Sequence, residues 1–132
     1  MPFTSLMPHL YSADVERAAA FYRDQLGGTQ TFRYPAQGSA GPAQHVELRI
    51  GDVTIALSSR DVVQADGLPA PTAGHPMELT VWCDSADNAV AALQAAGTPV
   101  LVKPYNHVAG HRRAYVTDPD GNWIALVSKE SA

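Results

Sequence analysis

A chain of 132 residues with 45% hydrophobic and 17% charged side chains has the composition of one globular domain with a core, not of a disordered segment. Its net charge of −4, a pI near 5.6 and the lack of any Lys/Arg run give no electrostatic footing for nucleic acid. No apolar stretch approaches the length of a membrane span, Met1 to Ser5 shows no signal-peptide pattern, and the single Cys83 cannot form an internal disulfide, so a soluble, cytoplasmic protein without membrane contact is expected.

The elements follow in chain order. Leu6 to Tyr11 reads as a strand, and Asp14 caps a helix whose apolar face carries Val15, Ala18, Ala19, Tyr22 and Leu26. Gly27-Gly28 stops that helix, Thr29 to Tyr34 is a strand, and Pro35 to Pro42 is a loop. His45 to Ile50 and Val53 to Ser58 alternate polar and apolar around Gly51-Asp52, which predicts a hairpin. Arg60 to Pro76, with Gly67, Pro69, Pro71 and Gly74, reads as a connector.

The order then repeats about seventy residues on. Met77 to Cys83 is a strand, and Ser85 opens a helix with Ala86, Ala89, Val90, Leu93 and Ala96 on one face. Gly97 closes it, Pro99 to Lys103 is a strand and Pro104 to His111 a loop. Arg112 to Thr117 and Asn122 to Ser128 form a final hairpin around Asp118-Pro119-Asp120-Gly121. The fold class is therefore α+β: one domain over residues 1–132, made of tandem βαβββ modules at about 4–60 and 76–129, with curved sheets around a cavity.

Alternate residues of a half-buried strand face opposite sides. In the first hairpin Val46, Leu48, Ile50, Val53, Ile55 and Leu57 form the core face, while His45, Glu47, Arg49, Thr54, Ala56 and Ser58 form the other. A two-residue turn sets Glu47 opposite Ala56, Arg49 opposite Thr54 and His45 opposite Ser58. In the second module Met77, Leu79, Val81 and Cys83 face the core, and Glu78, Thr80 and Trp82 face away. A plain solvent-exposed face would suit a single hairpin, but its recurrence in both modules, with Trp82 and Trp123, favours a lined cavity.

These features resemble the vicinal oxygen chelate superfamily, which includes glyoxalase I, extradiol dioxygenases, fosfomycin-resistance enzymes and bleomycin-resistance proteins. The resemblance rests on the segment Asp14 to Gly27, on Asp118-Pro119-Asp120-Gly121-Asn122-Trp123-Ile124 and on the βαβββ repeat, and it covers nearly the whole chain. It implies, for metalloenzymes of this type, one divalent ion held by a residue from the first and last strand of each module. Those positions fall on Met7, Ala56, Glu78 and Ala125. Only Glu78 suits a hard or borderline ion, alanine supplies no ligand and a thioether suits soft metals, so the usual metal site is expected to be lost.

A displaced metal site on His9, Glu47 and Glu78 is one alternative; the other pairs Glu47 with Arg49 or Arg112 and leaves His9 hydrogen-bonded within the wall. His107 and His111 read as loop residues at the mouth of a cavity, His75 as a connector residue and Cys83 as a core thiol. Trp82, Trp123 and Tyr105 offer flat surface for a planar ligand, with core packing as the competing role for the tryptophans. No nucleophile–base pair, phosphate loop or flavin fingerprint stands out.

The resemblance is nearest in character to the metal-free bleomycin-resistance branch, and it implies a binding protein that sequesters an antibiotic or other cytotoxic natural product, with no catalytic residue, metal or cofactor. The expected ligand contacts in the first module are His9, Tyr11, His45, Glu47, Arg49 and Ser58. In the second they are Glu78, Thr80, Trp82, Tyr105, His107, Arg112 and Trp123. The branch also implies a homodimer whose partner is a small, partly aromatic molecule. The alternative is an enzyme: a lyase or isomerase with Glu78 or His9 as general base, or a metal-dependent oxygenase with relocated ligands.

Overall fold

The computed structural model of the chain describes residues 4–72, 75 and 77–130. The chain divides into two compact units, Met1–Ala73 and Gly74–Ala132. Residues 73, 74 and 76 of the expected connector, with the first three and last two of the chain, lie outside the described set.

The first unit begins with strand β1 (His9–Ser12). Asp14 then caps helix α1 (Val15–Ala20) by accepting from the Arg17 backbone N–H. The helix widens into a π-helical turn over Phe21–Gln25 before strand β2 (Thr29–Tyr34). Strands β3 (His45–Ile50) and β4 (Val53–Ser59) form the predicted hairpin. Within the expected connector two short helical turns follow, α2 (Arg60–Val63) and a 3₁₀ turn at Gln64–Asp66.

The sheet order is β1-β4-β3-β2, with β1 parallel to β4 and the other pairs antiparallel. Hairpin register is as the alternation predicts: His45 opposes Ser58, Glu47 opposes Ala56 and Arg49 opposes Thr54. One face of this sheet carries Val46, Leu48, Ile55 and Leu57, packed against Val15, Ala18, Ala19 and Tyr22 of the helix, all of them buried. Burying each of the Val, Leu and Ile side chains stabilises the unit by about 1.5–3 kcal/mol at most, and each alanine methyl by less.

The second unit repeats this build. It contains β5 (Leu79–Trp82), α3 (Ala86–Ala95), β6 (Val100–His107), β7 (His111–Thr117) and β8 (Trp123–Lys129). Ser85 caps α3 through the Asn88 backbone N–H. The order β5-β8-β7-β6, with β5 parallel to β8, matches the first sheet strand for strand. Ala86, Val90 and Leu93 of the helix pack with Ala114, Val116, Ile124 and Leu126, and Ala86 N–H donates to Ser128 Oγ. The turn before β8 is built on Asp118, which accepts from the backbone N–H groups of Asp120 and Asn122 and from the Asn122 side-chain amide.

Strand β6 runs four residues past its expected end, through Pro104 to His107. Tyr105 and His107 are thus strand residues, not loop residues. As the outer strand of the sheet β6 tolerates a proline, because the missing N–H can be one that has no ladder partner.

Candidate functional site

In each unit the helix covers one face of the sheet, and the other is the helix-free face. On the first sheet that face carries Tyr11, His9, Ser58, His45 and Glu47 in one connected group. His9 Nε2 lies 2.6 Å from Ser58 Oγ, and Ser58 Oγ lies 2.7 Å from His45 Nδ1. The other His45 nitrogen, Nε2, is 2.8 Å from Glu47 Oε2. The group exists because β1, β4 and β3 place residues of like parity side by side: Tyr11 and His45 both oppose Ser58, and His9 and Glu47 both oppose Ala56. Tyr11 stacks on His9 at 5.4 Å, and Phe32 meets the His45 ring edge-on at 5.8 Å.

Partial loss of hydration of its ring, with His45 close by, holds His9 below the ordinary histidine range, against an opposing pull from Glu47. Glu47 is engaged by His45 and not by an arginine. Arg49 turns to the hairpin end, donating to the Gly51 carbonyl. A serine–histidine–carboxylate chain is therefore present that the sequence reading did not recognise, since its members come together only through strand register. Ser58 is buried and already shared by two imidazoles, which leaves its oxygen poorly placed to attack a substrate.

The helix-free face of the second sheet is more aromatic. Thr80 and Trp82 on β5 oppose Ala125 and Val127 on β8, which along their other edge pair with Tyr115 and Arg113 on β7, all on this same face. Trp82 is 66% exposed and Trp123 38% exposed, so neither is a core residue. Trp123 stacks flat on His75, centroids 4.2 Å apart. Glu78 precedes β5 and accepts a long, 3.4 Å bond from the Thr80 hydroxyl. Tyr105 opposes Arg113, and His107 opposes His111 at the end of the hairpin.

Arg112 does not share this face. It sits on the helix side, where Nε and Nη2 bind both carboxylate oxygens of Asp87 at 2.9 Å, and the residue on the helix-free face is Arg113. Ala114 and Val116 have the parity of Arg112, a signal in the sequence that assigns Arg113 and Tyr115 to the other side. Phe32 and Tyr34 were missed in the same way: both share the face of Glu47 and His45, and both are exposed. Cys83 is half-buried rather than fully in the core; burial pushes its thiol up, and Sγ donates to the Val127 carbonyl.

Ala56 and Ala125, at two of the positions where related metalloenzymes hold their ion, are fully buried methyl groups in the middle of β4 and β8. The residues present do not fit a divalent ion there. Among the described residues no group of three or more His, Cys, Asp or Glu side chains is arranged to hold a metal.

The chain belongs to the Glyoxalase/Bleomycin resistance protein/Dioxygenase superfamily, whose family model matches residues 4–126. Solved structures carry the same fold. TioX from Micromonospora sp. ML1 is 22% identical over 96% of this chain and 100% of its own, with a TM-score of 0.70. Lactoylglutathione lyase from Agrobacterium tumefaciens is 22% identical, covering 97% and 96%, with a TM-score of 0.71. The fosfomycin resistance protein FosX from Listeria monocytogenes is 14% identical, covering 98% and 96%, with a TM-score of 0.72. A search of curated proteins finds no match. Among the described residues no helix is long and apolar enough to cross a membrane.

Proposed function

We propose that this chain binds a small, partly aromatic molecule on the helix-free faces of its sheets and holds it without a metal ion and without turnover, sequestering a cytotoxic natural product. The observation that carries the reading is the pairing of aromatic side chains left in water with alanines at positions where related enzymes hold an ion. Trp82, Phe32, Tyr34 and Trp123 are all exposed on helix-free faces, and large aromatics on a surface mark a place where something docks. Polar groups beside them, His9, Tyr11, His45, Glu47, Arg49 and Ser58 in the first unit, supply directional contacts. In the second unit Glu78, Thr80, Tyr105 and His107 do so. Fosfomycin resistance in a relative of the same fold supports a role toward toxic small molecules. A homodimer in the cytoplasm is part of the same reading.

Titration calorimetry with bleomycin and a panel of aromatic antibiotics, with and without EDTA, tests it. The expected result is stoichiometric binding that EDTA leaves unchanged, with the ligand recovered intact by mass spectrometry. Recovery of a converted product, or about one tightly held ion per chain by elemental analysis, would overturn it. Sedimentation at micromolar concentration checks the dimer.

A further inference from the structure

We propose that the helix-free face of the first sheet is a proton-accepting site for a ligand with an acidic hydroxyl, a phenol or enol, which it binds as the anion while His45 carries the proton. The proposal rests on the reading that this face holds a ligand, and it specifies the chemical class.

Hydrogen-bond polarity leads there. The Glu47 carboxylate can only accept, so His45 Nε2 carries a hydrogen, and in the neutral ring Nδ1 is bare. Ser58 must then donate to His45 Nδ1. Its oxygen has only lone pairs left for His9, so His9 Nε2 carries a hydrogen and donates. A neutral His9 is consequently bare at Nδ1. That atom has no hydrogen-bond partner among the described residues, and His9 is exposed at the end of the row. Of the two unprotonated nitrogens in the network, His45 Nδ1 is occupied by Ser58, and His9 Nδ1 is left free at the end of the row, as the entrance to a relay.

The groups facing His9 fit this role. Its own strand offers Tyr11, β4 offers Ser58 and the Ala56 methyl, and β3 offers His45 and Glu47. The step balances as three proton shifts. The ligand hydroxyl gives its proton to His9 Nδ1, His9 Nε2 gives its proton to Ser58 Oγ, and Ser58 gives its own to His45 Nδ1. The ligand becomes an oxyanion hydrogen-bonded to His9 Nδ1–H. His9 ends neutral, and His45 becomes an imidazolium against Glu47, so the positive charge rests beside a carboxylate instead of on the contacting ring. That His9 is disfavoured as a cation agrees with its passing the proton on.

The test uses 4-nitrophenol, whose phenolate absorbs at longer wavelength than the phenol, beside its methyl ether 4-nitroanisole, which has no proton to give. At a pH where free 4-nitrophenol is mostly protonated, the bound form should show the phenolate band. Imidazole nitrogen NMR should show His45 gaining its second proton. Ser58→Ala cuts the relay: the phenolate band should vanish and nitrophenol binding weaken about tenfold or more, a clearly larger loss than nitroanisole shows. His9→Phe, which keeps the ring on Tyr11, should give the same pattern and serves if Ser58→Ala folds poorly. Nitrophenol bound as the neutral phenol would overturn the proposal and leave the binding reading standing. Failure of both compounds to bind this face would overturn both.

Discussion

His107 and His111 stack face to face across the end of the β6–β7 hairpin, their ring centroids 4.9 Å apart and their planes within 4° of parallel. Each ring spends a lone pair inward. His107 Nδ1 accepts from the Ala109 backbone N–H at 3.0 Å, and His111 Nε2 accepts from Arg113 Nε at 3.1 Å. A proton on His111 Nε2 removes its bond and sets a cation beside Arg113 and His107. Loss of hydration, the Arg113 guanidinium and His107 hold His111 below the ordinary histidine range, with Glu130 pulling weakly the other way.

From this follows a pH dependence of stability. His9 and His111 both resist protonation in the folded chain, while the unfolded chain takes the proton at the ordinary affinity. Their contribution is thus fully present above a pH of about 6.5 and is lost as pH falls through that value toward the lowered folded ones. Urea midpoints measured from pH 8 down to pH 5 should fall through this window, with a shallower fall for His111→Gln. A midpoint that rises on acidification would contradict the assignment.

Trp82 separates binding from folding. Because two thirds of it is exposed, Trp82→Ala should cost less than about 1 kcal/mol of stability. Loss of a stacking surface should weaken an aromatic ligand about tenfold. Paired urea denaturation and titration calorimetry read the two effects. A large loss of stability would make Trp82 a packing residue and remove it from the site.

Adjacent arginines on opposite faces make a sharper comparison. Arg112 is committed to Asp87 on the helix side, whereas Arg113 reaches the Tyr115 hydroxyl and His111 on the helix-free side. Arg112→Ala should leave ligand affinity within about twofold, and Arg113→Ala should weaken an acidic or aromatic ligand by several-fold. Calorimetry on both variants decides it, and equal effects would mean the face assignment carries no functional weight.

Much of this was legible from the residues. Strict alternation on both sides of Gly51-Asp52 fixes the β3–β4 register, because a one-residue slip would turn Val46, Leu48, Ile55 and Leu57 to the wrong side. Asp14 and Ser85 mark the starts of both helices by side-chain chemistry alone. By contrast, Lys103-Pro104-Tyr105-Asn106-His107 has no alternation and contains a proline, so nothing local extends β6 through it; the pairing with β7 does. The His9–Ser58–His45–Glu47 chain was hidden for a different reason. Parallel pairing of β1 with β4 joins positions 49 residues apart, and no local pattern encodes which residue of β1 meets Ser58.

Gly28 tests how tightly the first unit is closed behind its helix. It is buried where the chain leaves the π-helical turn, and its N–H donates to the Tyr22 carbonyl at 2.9 Å. A methyl group added there would lie 2.9 Å from that same oxygen and 3.2 Å from Ile50 Cγ1. The oxygen belongs to backbone that a fully buried Tyr22 side chain pins in place, so it cannot yield cheaply. Gly28→Ala should therefore destabilise the protein by about 1–3 kcal/mol. Its neighbour behaves oppositely. Gly27 has φ of +73° with open space around it, so Gly27→Asn, a side chain that tolerates this left-handed geometry, should cost under about 1 kcal/mol. Urea denaturation of both variants checks the contrast: if Gly28→Ala is as mild as Gly27→Asn, the close approach of helix exit and hairpin is not the constraint described.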